Sequence, residues 1–188
     1  MQHLLKLSRA IDTLTARIGR AASWLVLGVC IVAAGHAIVG KVFGAGANSN
    51  AWTELQWLMF AGIFLLAAPW TLASNEHIRI DILNQRLAER TRNWIDIIGH
   101  ALFLLPMAGL VLWASIPFAL TSWRQAEGSS NFGGLPQWPL KMLIPVAFAL
   151  LFAQGVSELI KRVAILRGEL ADPAAPASDL RTKTPHDI

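Results

Sequence analysis

The sequence predicts an all-α integral membrane protein with four transmembrane helices, an amphipathic N-terminal helix and a disordered C-terminal tail. Three observations predict it. Of 188 residues, 54% are hydrophobic and only 15% charged, a balance seldom met in soluble domains of this size. The apolar residues gather into four stretches, each long enough to cross a hydrocarbon core of about 30 Å at about 1.5 Å per residue. Eight Trp and no Tyr are present. Trp24, Trp52, Trp70, Trp94, Trp123 and Trp138 stand near the ends of those stretches, as interfacial anchors do. Trp57 and Trp113 lie deeper and are expected to pack.

Residues 1–21 come first. Leu4, Leu7, Ile11, Leu14 and Ile18 recur at spacings of three and four, with Lys6, Arg9, Arg17 and Arg20 mainly on other faces. This is the pattern of a helix lying at the membrane interface or on a partner. The apolar run that follows is too long for a signal-peptide core, so the first span is expected to stay in the mature protein. Spans are expected over about 22–43, 52–73, 94–119 and 138–160. The turn "GAGANSN" joins the first two and makes them antiparallel neighbours. Pro69, Pro106, Pro117 and Pro145 fall inside spans, where they should bend helices rather than end them. The stretch 168–188 is rich in Ala, Pro and charge, carries too little apolar surface to fold alone, and reads as a disordered tail.

Thirteen Lys and Arg lie in the N-terminal segment, the middle connection and the C-terminal segment, against three (Lys41, Arg124 and Lys141) on the opposite side. The excess of basic residues predicts that both termini and the segment "NEHIRIDIL" are cytoplasmic in a multi-pass membrane protein, and that the Gly-rich loop before the fourth span is periplasmic in a bacterial host. The formal charge of +4 is better explained by topology and anionic headgroups than by nucleic acid, because the basic residues flank the apolar runs.

Chemistry has little to stand on. The single Cys30 excludes an internal disulfide framework or a multi-cysteine metal site built from this chain alone. His77 with Glu76 and Asp81 places donors at i, i+1 and i+5, which share no helical face. No Walker loop, GxSxG motif or dinucleotide fingerprint occurs, so no enzyme is expected.

Polar groups inside spans are expensive and are treated as functional by default. They are His36, Glu54 and His100, with Asp96 and Glu158 nearer the edges. A b-type haem held by His36 and His100 is the alternative function. Against it, His36 lies about 21 Å and His100 about 9 Å from the cytoplasmic boundary at the helical rise, a mismatch that tilt absorbs poorly. Hydrogen bonding between helices or a contact with a partner is the simpler role for both. No internal repeat is evident and few polar groups reach mid-depth, so an accessory or scaffold role follows rather than a complete carrier.

Two blocks carry a family resemblance. "TELQWLMFAGIFLLAAPWTLASNEHIRIDIL", Thr53 to Leu83, resembles the second helix and following turn of the small (DctQ-like) membrane subunit of tripartite ATP-independent periplasmic (TRAP) transporters. Glu54, His77, Arg79 and Asp81 occupy the characteristic places. "GGLPQWPLKMLIPVAFALLFAQGVSELIKR", Gly133 to Arg162, is similar to that family's last helix, with Gln154 and Glu158 near its cytoplasmic end. The resemblance implies a scaffold without a catalytic site or cofactor of its own. It further implies a large membrane subunit that carries substrate and sodium, and a periplasmic substrate-binding protein that delivers the solute, usually an organic acid. Candidate partner or packing residues are therefore Glu54, Trp57, His77, Arg79, Asp81, Gln154 and Glu158. Glu54 is expected to pair with Lys41 or a partner cation. Arg79 and Asp81 are expected to hold an interfacial helix over 80–94 against the large subunit.

Overall fold

The computed structural model describes residues 2–44, 50–74 and 89–170, and every regular element among them is helical. They are α1 (Gln2–Phe43), α2 (Asn50–Ala73), α3 (Glu89–Ile98), a π-helical turn (Gly99–Leu104), α4 (Leu105–Arg124) and α5 (Trp138–Leu166). Four helical stretches, Gln2–Val42, Asn50–Ala73, Asn93–Arg124 and Trp138–Leu166, are long and apolar enough to cross a membrane. The expected tail falls largely in 171–188, outside the described residues.

The N-terminal segment and the first span, read as two elements, form one 42-residue helix. Ala21, Ala22 and Ser23 bridge the boundary without a helix breaker, and alanine carries the highest helix propensity, so nothing ends the helix there. At about 1.5 Å per residue α1 is about 63 Å long, twice the hydrocarbon thickness.

α5 is the hub. It packs against α1, α2, α3, the π-helical turn and α4, while α1 packs mainly on α2. The interior is small and polar: Ala22, Ala108, Ala119, Ala147 and Ala164 are buried beside Ser8, Thr15, Glu54, Gln154, Ser157, Glu158 and Arg162. Bulky apolar side chains face out instead. Lipid supplies no hydrophobic drive for helix association, so close approach of small residues and interhelical hydrogen bonds take over. At Gly19 an added Cβ would lie 2.6 Å from Trp70 Cβ, which fixes the approach of α1 to α2. Trp57 and Trp113, expected to pack, are 42% and 77% exposed. Depth in a span says nothing about which face a residue occupies.

Pro69, Pro117 and Pro145 sit inside continuous helices, as the sequence leads one to expect. Pro106 is different: the π-helical turn immediately precedes it, and Leu105 N–H bonds His100 O, five residues back. A proline ring clashes with the carbonyl four residues before it, and one wider turn relieves that clash. α5 ends at Leu166, and Gly168, two residues on, has a φ of +76°. Gly168 N–H donates to Ile165 O at 2.9 Å and Glu169 N–H to Ala164 O at 3.0 Å, the paired bonds of a Schellman stop.

Candidate functional site

The first polar cluster lies at the start of α2, beneath the α4–α5 loop. Glu54 is 2% exposed. Its Oε1 accepts from Ser129 Oγ and, at 2.9 Å, from Asn131 Nδ2; its Oε2 accepts from Leu135 N–H at 2.6 Å. Two glycines let the loop come this close. Gly133 adopts a φ of +71°, which favours glycine. A Cβ on Gly134 would collide with Ser129 Cβ and lie 2.6 Å from Glu54 Oε2. Asn50 Nδ2 adds a bond to Phe132 O at 3.0 Å. Among the described residues Glu54 is therefore held by the loop and not by Lys41, the partner expected within this chain. Its donors among the described residues are neutral and come from a loop some 75 positions away, while Lys41 is exposed at the end of α1.

The same loop is pinned at its base. Lys141 Nζ lies 2.6 Å from Glu127 and 4.7 Å from the centre of the Phe118 ring. The ammonium group holds the Glu127 carboxyl below the usual carboxylate range, because an opposite charge in contact favours ionisation.

The two intramembrane histidines have separate neighbours. Gln56 Nε2 donates to His36 Nδ1 at 3.0 Å, and the imidazole lies parallel to the Trp52 ring with centres 6.3 Å apart. His36 thus belongs to the α1–α2 contact. His100, in the π-helical turn, donates from Nδ1 to Asp96 O at 2.6 Å, and that turn packs on α5. Nothing in this packing brings the two rings to one site.

The second polar cluster joins the start of α1 to the end of α5. Thr15 Oγ1 donates to Gln154 Oε1 at 2.8 Å, and Gln154 Nε2 donates to Asp12 Oδ1 at 2.8 Å and Glu158 Oε1 at 3.2 Å. Ser157 Oγ reaches Asp12 Oδ1 at 2.8 Å and shares a 2.7 Å bond with Ser8 Oγ. Lys161 Nζ lies 3.2 Å from Asp12 and also bonds Glu158. One turn along, Arg162 donates to Asn93 Oδ1 at 3.1 Å and sits 3.2 Å from Asp96 Oδ2, which draws α3 into the seam. Gln154 and Glu158, named from sequence, both form bonds within this chain.

Ser8, Asp12, Thr15, Asn93, Ser157, Lys161 and Arg162 were missed. A usable clue exists for α1: Ser8, Asp12, Thr15, Gly19 and Ala22 recur at spacings of three and four beside the leucine ridge. They mark the true packing face. Leu4, Leu7 and Leu14 are left exposed.

Trp57 is open to lipid or to a partner. His77, Arg79 and Asp81 lie outside the described residues. Among the described residues, no group of three or more His, Cys, Asp or Glu comes together in a way that could hold a metal ion. A hollow of about 370 Å³ between α1, α2 and the start of α5 is lined by leucine, proline, methionine and glycine. It offers a charged solute no ligand.

Comparison with known proteins gives a consistent picture. The family described as "Tripartite ATP-independent periplasmic transporters, DctQ component" matches residues 37–164. The "Isethionate TRAP transporter permease protein DctMQ" of Oleidesulfovibrio alaskensis is 30% identical over 128 residues, covering 68% of this chain and 20% of that protein. The "C4-dicarboxylate TRAP transporter small permease protein DctQ" of Pseudomonas aeruginosa is 30% identical over 141 residues, covering 70% of this chain and 63% of that protein. The chain therefore spans about a fifth of the first relative and less than two thirds of the second. No solved structure matches it.

Proposed function

Because this chain belongs to the DctQ-component family of tripartite ATP-independent periplasmic transporters, we propose that it is the small scaffold subunit of a secondary transporter of that kind. It stands in the bacterial inner membrane with both termini in the cytoplasm, as the distribution of Lys and Arg supports. Its partner is a large membrane subunit that binds substrate and sodium. A periplasmic binding protein delivers the solute, a small anionic organic acid, and docks transiently. The two relatives are named for isethionate and for C4-dicarboxylates, both acids, which supports the substrate class. That one relative carries the names of both components in a single protein, of which this chain matches a fifth, supports the pairing with a large subunit.

The observation that carries the scaffold role is the use of polar groups. Glu54, His36, Gln154 and Arg162 each bond a neighbouring segment of this chain, and Glu158 bonds Gln154 and Lys161 of its own helix. A transport path needs polar side chains turned toward a cavity; here they are spent on holding helices together.

Co-expression with the large-subunit gene of the same locus tests the proposal. A tag on this chain should recover the large subunit at a fixed ratio, and sodium-dependent uptake in proteoliposomes should vanish when this chain is omitted. A large subunit that transports at full rate alone would overturn it.

A further inference from the structure

One face of α1 runs exposed along almost its whole length. In the upper part it carries Leu27, Ile31, Ile38 and Val42, at spacings of four and seven, and all four are exposed. This is the stripe a membrane helix turns toward acyl chains. Trp24 follows on the same face, three residues before Leu27 and 74% exposed, where an interfacial aromatic belongs. Beyond it the face becomes basic. Arg20 and Arg17 precede Trp24 by four and seven positions, and Arg9 and Lys6, 15 and 18 positions before it, return to the same face.

The orientation of this face is fixed from behind. Ser8 and Thr15 are buried against α5, and Gly19 meets Trp70 of α2, so α1 cannot roll to hide its arginines. All four basic side chains are exposed, and none is in an ion pair with a described residue. The nearby carboxylate on α1, Asp12, faces α5 and is taken by Lys161.

From this order of aliphatic, tryptophan and arginine on a single face, we infer that Arg17 and Arg20 form a binding surface for the phosphate headgroups of anionic phospholipids. At about 1.5 Å per residue they lie about 6 Å and 10 Å beyond Trp24. The headgroup layer is about 5–7 Å deep, and a snorkelling guanidinium spans the remainder. Arg9 and Lys6 lie about 22 Å and 27 Å beyond Trp24 on the same rise. Those two add only screened, long-range attraction. Charge complementarity selects the occupant: four cations without an ion-pair partner among the described residues continue a lipid-facing stripe, and α1 carries no acidic residue on that face. The inference depends on the membrane fold and not on which transporter the chain serves.

The test uses the full-length chain reconstituted in phosphatidylcholine vesicles with a trace of spin-labelled phosphatidylglycerol or phosphatidylcholine. The fraction of label immobilised at the protein surface gives a relative association constant. Each arginine in the headgroup layer is expected to contribute about fivefold selectivity for the anionic lipid. R17Q/R20Q should bring that preference close to unity while circular dichroism and monodispersity are unchanged. K6Q/R9Q should lower it less, and K41Q/R124Q, at the other end of the bundle, should leave it intact. A wild-type chain without the preference, or a folded R17Q/R20Q variant that keeps it, would overturn the inference. So would displacement of the label by millimolar inorganic phosphate, which would point to a free-anion site.

Discussion

The two ends of the bundle are held by different means. At the loop end, a single carboxylate on α2 accepts from two neutral side chains and one backbone N–H of the α4–α5 loop. At the terminal end, Asp12, Glu158 and Asp96 meet Lys161 and Arg162 across α1, α3 and α5. The difference follows from what each end must fix. A loop has unsatisfied N–H groups, and one acceptor beneath it can gather several. Three helical segments far apart in sequence meet at turns whose backbone groups are already bonded within each helix, so only side chains can set their register. Opposite charges, of which Glu158 and Arg162 are buried and Asp12, Lys161 and Asp96 half-buried, do that at a cost in desolvation.

Breaking each end should therefore have unequal consequences. Arg162→Ala should be the most damaging change, costing about 3–5 kcal/mol, because it strands buried partners of a charge pair. Thermal or denaturant unfolding in detergent would show it, and a variant as stable as wild type would erase the proposed contrast. Glu54→Gln should cost about 1–3 kcal/mol, since the new amide places a donor among donors. Its signature is local: faster proteolysis within 125–137 with little change elsewhere. Gly134→Ala should mimic it by steric means, since the added carbon meets both Ser129 and Glu54. Thr15→Val removes one bond of the seam, with an expected loss of about 1 kcal/mol, measurable by the same unfolding assay.

The smallest effect concerns pH. The Glu127 carboxyl is held below its ordinary value by Lys141. The folded state thus binds fewer protons than the unfolded one through this window. Its contribution is complete above the ordinary carboxylate pKa and is lost as pH falls through the lowered one. Subtracting the stability–pH curve of Glu127→Gln from that of wild type should reveal a small drop on the acid side alone. A difference that grew toward alkaline pH would contradict the sign.

The four helices were legible because long apolar runs and terminal tryptophans depend only on local composition. Pro69, Pro117 and Pro145 could also be read in place, since membrane helices tolerate them. The fate of Trp57 and Trp113 could not: where nearly every residue is apolar, helical periodicity carries no contrast between inside and outside. The partners of Glu54 were hidden for another reason. Ser129 and Asn131 sit in an ordinary polar loop, and only the fold brings them over α2. At the N-terminus the strong leucine pattern drew attention to one face of α1, while the smaller stripe of Ser8, Asp12 and Thr15 marked the face that packs.

The claim underlying both ends is that the buried polar groups build a scaffold and do not conduct a solute. Uptake by the reconstituted transporter, measured per assembled complex for Glu54→Gln, Gln154→Leu and Glu158→Gln, tests it most directly. The scaffold account predicts less assembled complex but wild-type uptake for each complex that forms. Normal assembly with uptake abolished would place these residues on the transport path and contradict it.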